Sequence, residues 1–117
     1  MTETKIALFP GSFDPYTIGH HDILMRALPL FDKIVIALGI NRNKKPYFPI
    51  EERLSSLQEL YKGNPKIEII TYNTLTTDLA LTIGAQYIIR GVRNLSDYEY
   101  ELTIADVNQN KNSTILF

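Results

Sequence analysis

The chain has 117 residues, enough for one domain with one core and too few for two. It is 44% hydrophobic and 21% charged with a net charge of −1, the balance of a globular domain without the basic excess of a nucleic-acid or membrane-surface binder. It has no cysteine, which excludes disulfides, thiolate metal sites and a cysteine nucleophile, and no signal-peptide core or membrane-length apolar run, so the expectation is a cytoplasmic protein.

Lys5 to Phe9 is a short apolar run that reads as a buried strand, with Pro10-Gly11 as its breaker. His21 to Leu28 has helical spacing, with Ile23, Leu24, Ala27 and Leu28 on one side, and Pro29 kinks or ends it. Lys33 to Gly39 is unbroken and rich in β-branched residues, as a strand buried on both faces should be. Asn41 to Pro49 is a polar loop. Pro49 opens a second helix, with Glu51 and Glu52 in its positive first turn and Leu54, Leu57, Leu60 and Tyr61 facing inward; Gly63 is its stop.

Ile67 to Tyr72 reads as a third strand and Leu75 to Ile83 as a short helix stopped by Gly84. Tyr87 to Ile89 is a fourth strand, left through Arg90-Gly91-Val92-Arg93. Ser96 and Glu99 form a capping box for a helix running to about Asn110. Thr114 to Phe117 begins a fifth strand. Strand alternates with helix throughout, which predicts an α/β fold: one doubly wound, Rossmann-like parallel sheet of five strands in a single domain over residues 1–117. In such sheets ligands bind beyond the carboxyl ends of the strands. The unusual polar residues lie there: Ser12 to His20, Asn41 to Lys45, Asn73 to Thr76, and Arg90 to Arg93.

The first loop carries the most chemistry. Gly11 lets backbone approach a ligand closely, and the amides of Ser12 and Phe13 can point at phosphate oxygens. Gly19-His20 comes just before the first helix, where the dipole favours an anion. An imidazole there can donate to a phosphate that gains charge in a transition state. The alternative is that His20 is a helix-terminal residue bonded to nearby backbone. Lys44-Lys45 could equally be a solvated loop, Arg90 and Arg93 could pair with Asp97 or Glu99, and Glu101 could be an ordinary exposed carboxylate. Tyr98 and Tyr100, two apart, face different sides of their helix.

The loop Gly11-Ser12-Phe13-Asp14-Pro15 with Thr17-x-Gly19-His20 resembles the T/HxGH signature of the nucleotidyltransferase superfamily. Lys44-Lys45-Pro46-Tyr47-Phe48, Glu51-Glu52-Arg53, Ile89-Arg90-Gly91-Val92-Arg93 and Asp97-Tyr98-Glu99-Tyr100-Glu101, in that order, resemble the bacterial phosphopantetheine adenylyltransferase family. The resemblance implies adenylyl transfer from ATP to 4′-phosphopantetheine, giving dephospho-coenzyme A and pyrophosphate on the way to coenzyme A. It implies Mg²⁺ and a homohexamer built as a dimer of trimers; Mg²⁺ usually keeps several waters and is held largely by substrate phosphates, so no dedicated protein cage is expected. It assigns His20 the transition-state role at the α-phosphate. It places Ser12, Lys44, Thr76 and Arg90 around the phosphopantetheine, and Ser12, Phe13, His20, Gly91, Val92, Arg93 and Glu101 on ATP; Asn108 would bond the pantetheine arm. The residues agree with direct in-line attack. The acceptor phosphate is already an anion, so no base is needed, and catalysis reduces to positioning and charge stabilisation.

Three departures from the family pattern stand out. Ser12 replaces a commoner Thr and keeps the hydroxyl. Gln109 replaces a frequent basic residue. The resemblance also implies about forty residues beyond Phe117, bearing an Ile-Ser-Ser-Ser-like phosphate loop and a last helix, for a domain of typical size. Without them, apolar sheet surface would be exposed and triphosphate donors lost. Two rivals follow: a non-catalytic fragment that holds phosphopantetheine or coenzyme A, and another nucleotidyltransferase such as a cytidylyltransferase.

Overall fold

A computed structural model of the chain describes residues 4–40, 45–90 and 113–116. In chain order its elements are β1 (Ile6–Gly11), α1 (Ile18–Ala27), a 3-10 turn (Leu28–Leu30), β2 (Lys33–Gly39), α2 (Ile50–Tyr61), β3 (Ile67–Tyr72), α3 (Thr76–Ile83), β4 (Tyr87–Arg90) and β5 (Ser113–Leu116). The strands form one sheet in the order β3-β2-β1-β4-β5, every neighbouring pair parallel. Four of them, β1 to β4, carry described side chains; β5 is placed by its backbone pairing with β4. The α/β parallel architecture is as expected. The expected helix from Ser96 to about Asn110 lies outside the described residues.

The sheet is covered on both faces because its central strands are apolar on both. On one face Ala7, Phe9, Ile34, Ile36, Leu38 and Ile89 pack against Leu24 of α1 and Leu57 and Tyr61 of α2. On the other, Leu8, Val35, Ala37 and Ile88 pack against Leu79 and Ala80 of α3. Truncating a fully buried leucine such as Leu24 to alanine costs about 2–5 kcal/mol.

Three local expectations change. The first strand runs through Pro10 and Gly11 instead of ending at Phe9. β1 stays in register with β2 as far as Gly11↔Leu38, but with β4 only at Ala7↔Tyr87 and Leu8↔Ile88. Pro10 has no N–H to offer β4, and none is called for where β4 has parted from β1. Leu60 is 57% exposed, not inward. The buried stripe of α2 is Ile50, Leu54, Leu57 and Tyr61, spaced by three or four, and Leu60 falls to its side. Gly63 is not a left-handed stop: α2 closes through a turn in which the Asn64 amide donates to the Tyr61 carbonyl at 2.9 Å. Gly84 is such a stop, at φ 75°.

The amino edge of the sheet is stapled by side chains. The Asp32 carboxylate accepts from the Lys5 amide at 2.7 Å, and Gln86 bonds both the Ile6 amide (2.9 Å) and the Thr4 carbonyl (2.9 Å). The chain order reverses direction between β1 and β4, the switch point at which ligands of such sheets bind.

Candidate active site

The loop from Ser12 to Thr17 links the end of β1 to the start of α1 and is held by its own packing. Phe13 takes φ 48°, a left-handed conformation that costs a non-glycine residue about 1–2 kcal/mol. The burial of its ring, only 3% exposed, offsets that. The ring meets Phe9 edge-on at 5.1 Å and Tyr16 at 5.4 Å. It also lies over Gly11, where an added Cβ would come within 3.1 Å of it. The close approach that Gly11 permits is therefore to the Phe13 ring. Because that ring is buried, any contact of Phe13 with ATP falls to its backbone.

A second lock ties this loop to the segment before α2. Asp14 accepts from the amides of Tyr47 (2.8 Å) and Phe48 (2.9 Å). Arg53 donates through Nε to the Phe48 carbonyl (2.9 Å) and through a terminal nitrogen to the Ser12 carbonyl (2.7 Å). The Asp14 and Arg53 side chains, each 10% exposed, lie 3.9 Å apart as an ion pair. Sequence reasoning missed this pair. It did read the Glu51-Glu52-Arg53 segment as a family mark, and an arginine next to two helix-initial acids was the available signal.

Thr17 caps α1, and His20 is the third helical residue. The Thr17 hydroxyl accepts from the His20 amide (3.3 Å), and the Thr17 amide donates to Nδ1 of His20 (2.8 Å). This is a capping box in which histidine takes the place usually held by Glu or Gln. It gives a physical reason for threonine and histidine three apart. It also sets the tautomer. A backbone N–H can only donate, so Nδ1 presents its lone pair, and the neutral ring carries its hydrogen on Nε2, away from the cap. The expected bond of His20 to nearby backbone is thus present at Nδ1, and the hydrogen of the neutral ring lies on Nε2.

Aromatic rings box the imidazole. Tyr16 stacks on it at 5.3 Å and 24°, and Phe13 meets it edge-on at 5.0 Å and 85°. Tyr16 in turn bonds the Tyr61 hydroxyl at 2.7 Å, and Tyr61 bonds Nδ1 of His21 at 2.7 Å. Burial pushes the Tyr16 phenol well above its usual value, and the Tyr61 hydroxyl adds to the shift. Burial raises Tyr61 as well, partly offset by the bond from Tyr16. Both phenols therefore stay protonated at neutral pH.

Three other expected residues sit on the same edge. Ser12 is exposed just past β1, and Arg90 is the half-buried last residue of β4, the strand beside β1. Thr76 begins α3 beyond β3, two strands from β1 on the other side, and its hydroxyl lies 3.3 Å from that of Tyr72. Lys44, Gly91, Val92, Arg93, Glu101 and Asn108 lie outside the described residues.

A family model described as cytidylyltransferase-like matches residues 8–113. A phosphopantetheine adenylyltransferase of Bacteroides thetaiotaomicron is 52% identical over 103 residues, covering 88% of this chain and 68% of its own length. The chain belongs to the phosphopantetheine adenylyltransferase family. A second member, from Flavobacterium johnsoniae, is also 52% identical over 103 residues, again with 88% and 68% coverage. Among solved structures the fold is similar to that of Plasmodium falciparum nicotinic acid mononucleotide adenylyltransferase complexed with NaAD, at TM-score 0.69 and 20% identity over 97% of this chain and 64% of that one. It is likewise similar to a bifunctional NMN adenylyltransferase/ADP ribose pyrophosphatase from Francisella tularensis, at TM-score 0.71 and 17% identity over 98% of this chain and 38% of that one. These structural likenesses concern the fold. For this member of the phosphopantetheine adenylyltransferase family, the carboxyl edge around His20 is the candidate active site.

Proposed function

We propose that this chain transfers the adenylyl group of ATP to 4′-phosphopantetheine, with His20 as the donor to the α-phosphate. The observation that supports this most is the bond from the Thr17 amide to Nδ1 of His20, which leaves the hydrogen on Nε2. A phosphate oxygen of phosphopantetheine attacks the α-phosphorus in line and forms the new P–O bond. The bond from the α-phosphorus to the bridging oxygen breaks, and pyrophosphate leaves with the electron pair. The α-phosphate oxygens gain charge as this happens, and Nε2–H of His20 meets that charge without reorganising. No side chain need take a proton, because the attacking group is an anion.

In this reading Ser12, Lys44, Thr76 and Arg90 hold the phosphopantetheine. Arg90 offers a planar fork to phosphate oxygens and Lys44 a flexible point charge. Ser12, Phe13, Gly91, Val92, Arg93 and Glu101 contact ATP. Among the described residues no three His, Asp or Glu side chains gather as metal ligands. Mg²⁺ would be held by the triphosphate oxygens and its own waters, supplying charge neutralisation there. A homohexamer and a cytoplasmic location belong to the same reading, on the strength of the family resemblance. Among the described residues no helix is long and apolar enough to cross a membrane.

The test is pyrophosphate release by this chain from ATP plus 4′-phosphopantetheine, with CTP as the competing donor. Release that depends on both ATP and phosphopantetheine is expected. Release with CTP in place of ATP would make it a cytidylyltransferase. Calorimetric binding of phosphopantetheine without any release would make the 117-residue chain a binding module.

A further inference from the structure

His20 and His21 are adjacent on α1, and successive helical residues point about 100° apart. The first turn of α1 therefore presents one imidazole to the site and the other to α2. The second is not idle. Its ring stacks on Tyr61 at 5.8 Å and 7°, and its Nδ1 is 2.7 Å from the Tyr61 hydroxyl. That hydroxyl is 2.7 Å from the Tyr16 hydroxyl, and the Tyr16 ring stacks on His20. Three side chains from two helices and a loop thus form one chain that ends on the imidazole assigned to the chemistry.

The chain has a preferred polarity. Tyr61 is the hydroxyl partner of Tyr16 among the described residues. If Tyr16 donates to Tyr61, and Tyr61 to Nδ1 of His21, every hydroxyl hydrogen is bound. The reverse order strands the Tyr16 hydrogen in a half-buried place, where an unmet donor is costly. With both ends bonded, the Tyr16 ring has no freedom to swing. The imidazole of His20 is then held by the Thr17 amide at Nδ1, the edge of Phe13 and the face of Tyr16, among other contacts.

We infer that Tyr61 and His21 are positioning residues for His20, acting through Tyr16: their hydroxyl–imidazole chain holds the Tyr16 ring in the plane on which the His20 imidazole stacks. The inference rests on the role proposed above for His20. It adds that the helix α2, which touches no substrate in that proposal, orients the donor.

The experiment is long-range ¹H–¹⁵N correlation of the histidine rings in the intact ¹⁵N-labelled chain, alongside steady-state turnover. In the wild type His20 should show one form, with Nδ1 as acceptor and hydrogen on Nε2. Tyr61→Phe keeps the buried ring and removes the hydroxyl. It should shift or average the His20 ring signals and lower kcat roughly three- to tenfold, the effect of one lost hydrogen bond. KM for ATP should hold, and in a His20→Ala background Tyr61→Phe should have no further effect on kcat. If Tyr61→Phe fails to fold, His21→Leu cuts the same chain at its other end, with the same expectation. Unchanged His20 ring signals in whichever variant folds would overturn the inference, as would an equal kcat loss in the His20→Ala background. If the wild type shows no turnover, the proposed function fails, and the ring signals alone still decide whether Tyr61 and His21 position His20.

Discussion

Two loops on the same edge of the sheet are built in opposite ways. The first, Ser12 to Thr17, is over-determined. A left-handed Phe13 is pinned by its buried ring, Asp14 and Arg53 bind it to the segment before α2, and a reciprocal cap fixes His20. Among the described residues, the loop from Asn73 to Leu75, after β3, is lightly held. Leu75 is 71% exposed and caps α3 without a side-chain bond, and Thr76 leans on Tyr72 through one long contact of 3.3 Å. Under the roles proposed for His20 and Thr76, the tighter loop is the one that needs precision. Charge stabilisation works only if the donor is in place before the charge develops. Holding an acceptor that arrives with its own charge can tolerate looser partners.

That comparison can be broken at the first loop. Asp14→Ala leaves the largely buried Arg53 guanidinium without its carboxylate, and frees the amides of Tyr47 and Phe48. The expected loss is about 3–5 kcal/mol of stability, measured by denaturant unfolding, with turnover falling as well. A loss below about 0.5 kcal/mol, the range of an ordinary surface substitution, would mean the lock is not one. Gly11→Ala is the next largest. Its Cβ would stand 3.1 Å from the Phe13 ring, so the ring must move. We expect about 1–3 kcal/mol of destabilisation and a lower kcat, since that ring flanks His20.

Much of the fold was legible because it is local. β2 and β3 have the bounds expected from their apolar, β-branched runs, and Gly84 ends α3 as a left-handed stop should. The errors have more than one origin. Pro10-Gly11 looked like a breaker, yet whether a proline ends a strand depends on its neighbours, here β2 and not β4. Helix α1 begins at Ile18, before the expected His21, because its capping box uses histidine in place of Glu or Gln. At the site, the motif marks His20 and Ser12 as candidates. Asp14 with Arg53, and Tyr16 with Tyr61 and His21, join residues about forty apart, and no periodicity reports such pairs.

The smallest expected effect belongs to the looser loop. Thr76→Val removes a hydroxyl from a half-buried position with one long contact among the described residues. Stability should change by no more than about 0.5 kcal/mol, and KM for phosphopantetheine should rise severalfold with kcat unchanged. A fall in kcat matched by no change in KM would erase the contrast between the loops.

The central claim is that His20, oriented by Thr17, stabilises the charge on the α-phosphate. The direct measurement is kcat for pyrophosphate release by His20→Ala beside the wild type, at saturating ATP and 4′-phosphopantetheine. His20→Ala should turn over roughly a hundred- to a thousandfold more slowly with the fold retained, as for removal of one transition-state donor. Equal rates in the two proteins would contradict the claim.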